Sequence, residues 1–150
     1  MTVEEFTYAS PLYQKCLELR VRYLRTPLGL DPCSEDTIDD ENQRHFAILD
    51  GDKIIGGLMA EIESDDSLRF RQMWVDPAHS GSGCGKQLLT SAEIILAEDG
   101  FRSFHLRARE TARGFYLKCG YQPTGKPFIE VGIPHIAMEK TFMPESSIET

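Results

Sequence analysis

Apolar positions along the chain follow two periods, and the switches between them mark out the elements. Phe6 and Tyr8 alternate in a short strand over residues 3–8. Ser10 followed by Pro11 predicts a helix start, a capping hydroxyl and then a proline at the first turn. Leu12, Cys16, Leu19 and Tyr23 then recur at helical spacing, as do Tyr13, Leu17, Val21 and Leu24. Two such rows predict a helix lying on a core and ending near Thr26-Pro27. Residues 28–43 lose the period and gather Asp31, Glu35, Asp36, Asp39, Asp40 and Glu41, the pattern of a solvated acidic loop. Segments 45–49 and 53–62 flank Asp50-Gly51, a strong hairpin signal, and Ser64-Asp65-Asp66-Ser67 makes the next turn. Strand 68–75 contains a phase slip, with Leu68 and Phe70 in one phase and Met73 and Val75 in the other. One extra residue, a β-bulge, would restore both sets to one face and turn backbone amides away from the ladder.

A helix from about residue 83 to 99 buries Leu88, Leu89, Ala92, Ile95 and Leu96, and Gly100 stops it. Phe104, Leu106 and Ala108 alternate as a strand; Ala112, Phe115, Tyr116 and Cys119 then share one face of a short helix closed by Gly120. Segments 121–130 and 135–142 predict two last strands, joined through Gly132-Ile133-Pro134. The order is βα, a three-strand meander, α, β, α, ββ. It predicts one mixed α/β (α+β) domain over residues 1–142, a mostly antiparallel central sheet flanked by helices, with a frayed tail at 143–150.

Composition narrows the classes. The 150 residues suit one domain, and 41% hydrophobic with 27% charged content is ordinary for a soluble globular chain. A net charge of −8 argues against a nucleic-acid backbone as partner and suits a small cationic amine. Cys16, Cys33, Cys84 and Cys119 form neither a Cys-x-x-Cys pair nor zinc-finger spacing with histidine. No basic leader and no run of transmembrane length occurs. The expectation is a reduced, cytoplasmic protein with free thiols, no metal and no membrane partner. A homodimer is compatible with this sequence, which carries no signal of oligomeric state.

The chemistry concentrates in Val75-Asp76-Pro77-Ala78-His79-Ser80-Gly81-Ser82-Gly83-Cys84-Gly85-Lys86-Gln87-Leu88-Leu89. A strand stops at proline, three glycines alternate with small residues, and an amphipathic helix begins. Alternate glycines permit positive φ and close approach, and the helix's first amides favour an anion. Lys86 in the first turn opposes the dipole unless a phosphate is bound there. A P-loop ending on Gly85-Lys86 would need glycine where Ser80 stands and a hydroxyl where Gln87 stands. The dinucleotide fingerprint fails as well, since Lys86 occupies the last glycine position.

Val-x-Pro, a short link, Gly-x-Gly-x-Gly and a Leu-Leu pair closely resemble the coenzyme A loop of the GNAT superfamily of acyl-CoA-dependent N-acyltransferases. A second motif agrees: Ala112-Arg113-Gly114-Phe115-Tyr116-Leu117-Lys118-Cys119-Gly120-Tyr121 is similar to that family's Ala-x-x-Phe-Tyr-x-Lys-x-Gly-Phe/Tyr segment, about thirty residues further on. The two motifs cover residues 70–121, the strand order extends the likeness to nearly the whole chain, and 128–140 resembles the closing hairpin of some small members. The family usually has Arg or Gln at the position of Ser80, and many members have Asn at that of Arg109.

The resemblance implies transfer of an acetyl group from acetyl-CoA, the acyl donor, to an amine acceptor. Ser80, Gly81, Ser82, Gly83, Cys84, Gly85 and Lys86 would hold the diphosphate, mostly through main-chain amides. Met73, Trp74 and Val75 on the slipped strand would hold pantetheine and polarise the thioester oxygen. Arg109, Ala112, Phe115 and Lys118 complete the expected coenzyme-binding set. Tyr116 is the candidate acid, because a phenol near 10 stays protonated at neutral pH while a thiolate near 8.5 accepts its proton. For the base, Glu130 and His135 on the closing hairpin are the candidates, with His45, Glu61 and Glu63 behind them. The departures at Ser80 and Arg109 favour the alternative, a catalytically silent acyl-CoA-binding sensor or subunit.

Overall fold

The computed structural model describes residues 1–28, 37 and 39–142. Most of the acidic loop, Cys33 and the expected frayed tail at 143–150 therefore lie outside the described residues. Two compact units divide the chain, the first comprising Met1–Glu61 with Arg71–Ala92 and the second Ile62–Phe70 with Glu93 onward.

In the first unit, β1 (Thr2–Phe6) pairs antiparallel with β2 (Arg44–Asp50), and β2 with β3 (Lys53–Ile62). The expected hairpin turn is present, with Gly51 at φ 61. β1 stops at Phe6, short of the predicted Tyr8, because Ser10 bonds back to the Thr7 carbonyl through both its amide (3.1 Å) and its hydroxyl (2.7 Å). The Ser10 hydroxyl also accepts from the Tyr13 amide, capping α1 (Pro11–Arg20) as the sequence predicts. The helical path then tightens and loosens through a π turn, Val21–Arg25, and a 3₁₀ turn, Thr26–Leu28. Phe46, Ala47, Ile48, Ile55, Leu58, Met59 and Ala60 are all buried, so β2 and β3 are covered on both faces and show runs rather than alternation.

β4 (Ser67–Val75) breaks where the phase slip falls: Gln72 has φ 54, a left-handed value rare away from glycine. Burial after the break does not fall on Met73 and Val75, which are half-buried, but on Trp74. Its indole stacks on Tyr23 (5.5 Å) and lies so close to β3 that a Cβ on Gly57 would sit 2.5 Å from Nε1. Only glycine fits there.

In the second unit, the start of β4 pairs parallel with β5 (Ser103–Arg109), which pairs antiparallel with β8 (Ile133–Thr141). β8 in turn pairs antiparallel with β6 (Gln122–Pro123) and β7 (Phe128–Glu130). The single strand expected over 121–130 is thus two short ones. Pro123 and Pro127 lack the N–H that a continuous ladder requires, and Gly125 stands between them. In this unit's core Phe104 meets Phe70 at a tilt (5.5 Å), and the half-buried Phe142 edge to face (6.1 Å).

α2 (Cys84–Glu98) buries Leu88, Leu89, Ala92 and Leu96, whereas Ile95 is only half-buried. Gly100 at φ 101 ends it, and the Phe101 amide returns to the Leu96 carbonyl at 3.2 Å. The short α3 spans Arg113–Lys118. No helix among the described residues is long and apolar enough to cross a membrane.

Candidate active site

The glycine loop is built from its flanks inward. The Asp76 amide donates to the Ile55 carbonyl at 2.7 Å, fixing the end of β4. The Asp76 carboxylate accepts from the Ala78 amide at 3.0 Å and caps a 3₁₀ turn, Pro77–His79. Gly81 (φ 80) and Gly83 (φ 84) then take left-handed values with open space where a side chain would stand. Backbone conformation, not crowding, is what requires glycine there. The Ser82 amide and hydroxyl both donate to the His79 carbonyl, which pins the turn.

The first helical bond of α2 runs from the Gln87 amide to the Gly83 carbonyl, 3.0 Å. The amides of Gly83, Cys84, Gly85 and Lys86 precede it and have no carbonyl one turn earlier. Together with the helix dipole they form a positive end suited to an oxyanion. Ser80, Gly81, Ser82, Gly83 and Lys86 are exposed. Cys84 is different: its thiol is buried, 2.9 Å from Ser82 Oγ and 3.2 Å from Met1 Sδ, so only its main chain faces a ligand. Trp74 is likewise a packing side chain.

In the second unit, β5 ends at Arg109, a 3₁₀ turn over Glu110–Ala112 follows, and α3 carries Phe115, Tyr116 and Lys118. Tyr116 is half-buried and meets Phe115 (5.0 Å) and Tyr121 (6.0 Å) edge to face. Burial pushes its phenol up to about 12, the Cys119 thiol adds to the rise, and the Arg109 charge opposes it. The group is therefore a proton donor throughout the neutral range. Phe115 and Ala112 are half-buried, and Lys118 is exposed.

Glu130 and His135, singled out separately from the sequence, come together across the β7–β8 hairpin. His135 Nε2 stands 3.9 Å from Glu130 Oε2. His135 Nδ1–H donates to the Ile133 carbonyl at 2.7 Å, since a carbonyl only accepts, and this leaves Nε2 on the side of Glu130. The ring is buried at 5% exposure and stacks on Phe128. Arg107 Nη1 holds the other Glu130 oxygen at 2.9 Å. Sequence reasoning missed Arg107, since nothing in the pattern announces that β5 lies beside β8.

The remaining base candidates are committed elsewhere. His45 is buried and donates from Nε2 to the Asp40 carbonyl at 2.7 Å, and burial lowers its pKa from 6.5. Glu61 pairs with Arg71 at 3.1 Å, and Glu63 accepts from Ser67 in an exposed turn.

The family profile described as "Acetyltransferase (GNAT) domain" matches residues 30–142. The uncharacterized N-acetyltransferase YjcF of Bacillus subtilis (strain 168) is 31% identical over 111 residues, 73% of this chain and 79% of its own. A Lactobacillus plantarum crystal structure, of a protein provisionally designated an N-acetyltransferase, superposes with a TM-score of 0.81 at 28% identity, covering 95% of this chain and 100% of that one. An aminoglycoside 6'-N-acetyltransferase complexed with coenzyme A shares the fold, with a TM-score of 0.78, 19% identity, and 97% and 99% coverage. The chain belongs to the GNAT acetyltransferase family, with the mixed, mostly antiparallel sheet of that fold.

Proposed function

We propose that this chain transfers an acetyl group from acetyl-CoA to a primary amine, of a small molecule or a protein, by direct attack. The observation that carries the proposal is the left-handed pair Gly81 and Gly83, after which the first amides of α2 have no carbonyl one turn earlier and would suit an anion. The loop from Ser80 to Lys86 holds the diphosphate of the donor, and the main chain of Met73, Trp74 and Val75 holds its pantetheine. Arg109, Ala112, Phe115 and Lys118 complete the coenzyme contacts. The coenzyme A named with the aminoglycoside 6'-N-acetyltransferase supports this ligand class.

The neutral amine attacks the thioester carbon, the C–S bond breaks, and the departing thiolate takes the Tyr116 proton. The proton shed by the acceptor goes to the His135–Glu130 pair, directly or through water.

Thiol release from acetyl-CoA, followed with and without a panel of primary amines, tests the reading. Amine-dependent release is expected. Tight binding without release would instead make the chain a silent acyl-CoA sensor. Tyr116→Phe is expected to lower kcat by about a hundredfold or more, the ordinary contribution of a general acid. A change below about threefold would return Tyr116 to the core.

A further inference from the structure

A buried polar cluster in the second unit has no part in the reaction just described. Glu93 of α2 is 1% exposed, yet each of its oxygens has a donor. The Tyr121 hydroxyl donates to Oε2 at 2.6 Å and Lys140 Nζ to Oε1 at 2.8 Å. The same ammonium donates to the Cys119 carbonyl at 2.9 Å. Cys119 closes α3, its amide reaching back to the Phe115 and Tyr116 carbonyls at 3.2 and 3.0 Å. The Tyr121 amide donates to the Tyr116 carbonyl at 3.0 Å. Between them Gly120 takes φ 94, and a Cβ there would meet Lys140 Cε at 3.4 Å.

Desolvating a carboxylate and an ammonium is costly, and apolar side chains would fill the same space at less expense. What the ion pair adds is direction. The six residues of α3 are too few to hold a helix without anchors at its ends. The ammonium sits at the C-terminal end, where carbonyls lack intrahelical donors and the dipole is negative.

We propose that Lys140, itself fixed by Glu93, is a positioning residue for Tyr116: by gripping the Cys119 carbonyl it sets the orientation of the helix that carries the phenol. The inference rests on the reading of Tyr116 as the acid. A shift of about 1 Å in a reacting group costs up to about a hundredfold in rate, so a loosened α3 is expected to show in turnover.

The test follows thiol release from acetyl-CoA, with the fastest amine of the panel or with water where no amine is faster, alongside thermal unfolding. Lys140→Met is expected to lower kcat about tenfold or more, with a smaller rise in KM for acetyl-CoA through Phe115 and Lys118 on the same helix. It also strands the Glu93 charge and lowers stability. Glu93→Gln/Lys140→Met removes that charge, so stability recovers but kcat does not, because the Cys119 carbonyl still lacks its donor. Should Lys140→Met alone fail to fold, this double variant carries the test. Lys140→Arg, which retains a cationic donor, restores part of the rate. In a Tyr116→Phe background, Lys140→Met adds less than about twofold, since two residues acting as a unit are not additive. Recovery of kcat together with stability in the double variant would overturn the proposal. So would a loss in the Tyr116→Phe background as large as in the wild type. If Tyr116→Phe alone leaves turnover unchanged, the acid assignment fails and the positioning role falls with it, an outcome visible in that single variant.

Discussion

Each of the two units buries one carboxylate with a tyrosine and a cation, and the two arrangements differ in how completely they satisfy it. In the first, Asp40 is 0% exposed; Oδ2 accepts both the Tyr13 hydroxyl (2.5 Å) and Arg20 Nη2 (2.9 Å). Its Oδ1 has no partner among the described residues. In the second, Glu93 divides its two donors between its two oxygens. The cations differ too: the Arg20 side chain is 6% exposed and also donates to Met59 Sδ, whereas that of Lys140 is 22% exposed. One cluster is deeper and imperfectly paired; the other is complete and touches solvent. A buried oxygen without a donor costs about 1–3 kcal/mol, so among the described residues the Asp40 cluster carries a penalty that the Glu93 cluster avoids.

The largest expected effect breaks the deeper cluster. Arg20→Met leaves the Asp40 carboxylate with the Tyr13 hydroxyl as its remaining described side-chain donor, and is expected to cost about 3–5 kcal/mol by urea unfolding. A loss below about 1 kcal/mol would show that the ion pair contributes nothing net. Next come the two tyrosines. Tyr121→Phe deprives Glu93 Oε2 of its donor and is expected to cost about 2 kcal/mol, whereas Tyr13→Phe leaves Oδ2 with Arg20 and costs about 1 kcal/mol. Equal losses would erase the distinction between the clusters.

Alkaline pH separates the burial terms. Burial raises the Cys16 thiol from 9.0 to about 12, against a smaller opposing pull from Arg20. The folded thiol keeps its proton where the unfolded one sheds it, so its contribution is complete below pH 9 and is lost as pH rises from 9 toward 12. The slope approaches about 1.4 kcal/mol per pH unit, and Cys16→Ala should flatten that part of the stability curve. A slope unchanged in the variant would assign the loss to other groups. Burial also lifts Tyr116 and Tyr121, so the second unit adds its own loss above pH 10.

The smallest effect compares the two hairpins. The first places Gly51 in the left-handed region, while the second places Val131 there, at φ 46 and 55% exposed. A β-branched residue in that region is strained by about 1–2 kcal/mol. Val131→Asn is expected to raise stability by about 1 kcal/mol, and a thermal scan showing no rise would mean the turn relaxes at no cost.

Much of this was legible in the residue pattern, for local reasons. The Ser10 cap, the turn at Gly51 and the irregularity near Gln72 each depend on a few consecutive residues. The same holds for the glycine loop, where left-handed φ at Gly81 and Gly83 follows from residue type. Strand 121–130 was misread because its alternation ignored the missing amides of Pro123 and Pro127. That the Trp74 side chain packs in the core, leaving only its main chain for a ligand, was not legible, because Gly57 on another strand makes room for it. Arg107 and its grip on Glu130 were out of reach: that pair spans 23 residues and exists because β8 lies beside β5.

The sequence by itself determined most of the elements, their order and the left-handed glycine turn ahead of α2, since each is set by hydrogen bonds and side-chain spacing within a turn or two of chain. Tertiary structure alone decided which cation meets which buried carboxylate. Arg20 and Asp40 are 20 residues apart, and Glu93 and Lys140 are 47. Periodicity carries no information at such separations; the pairs form where sheet topology brings distant side chains into a space without water, and there an ion must find a partner.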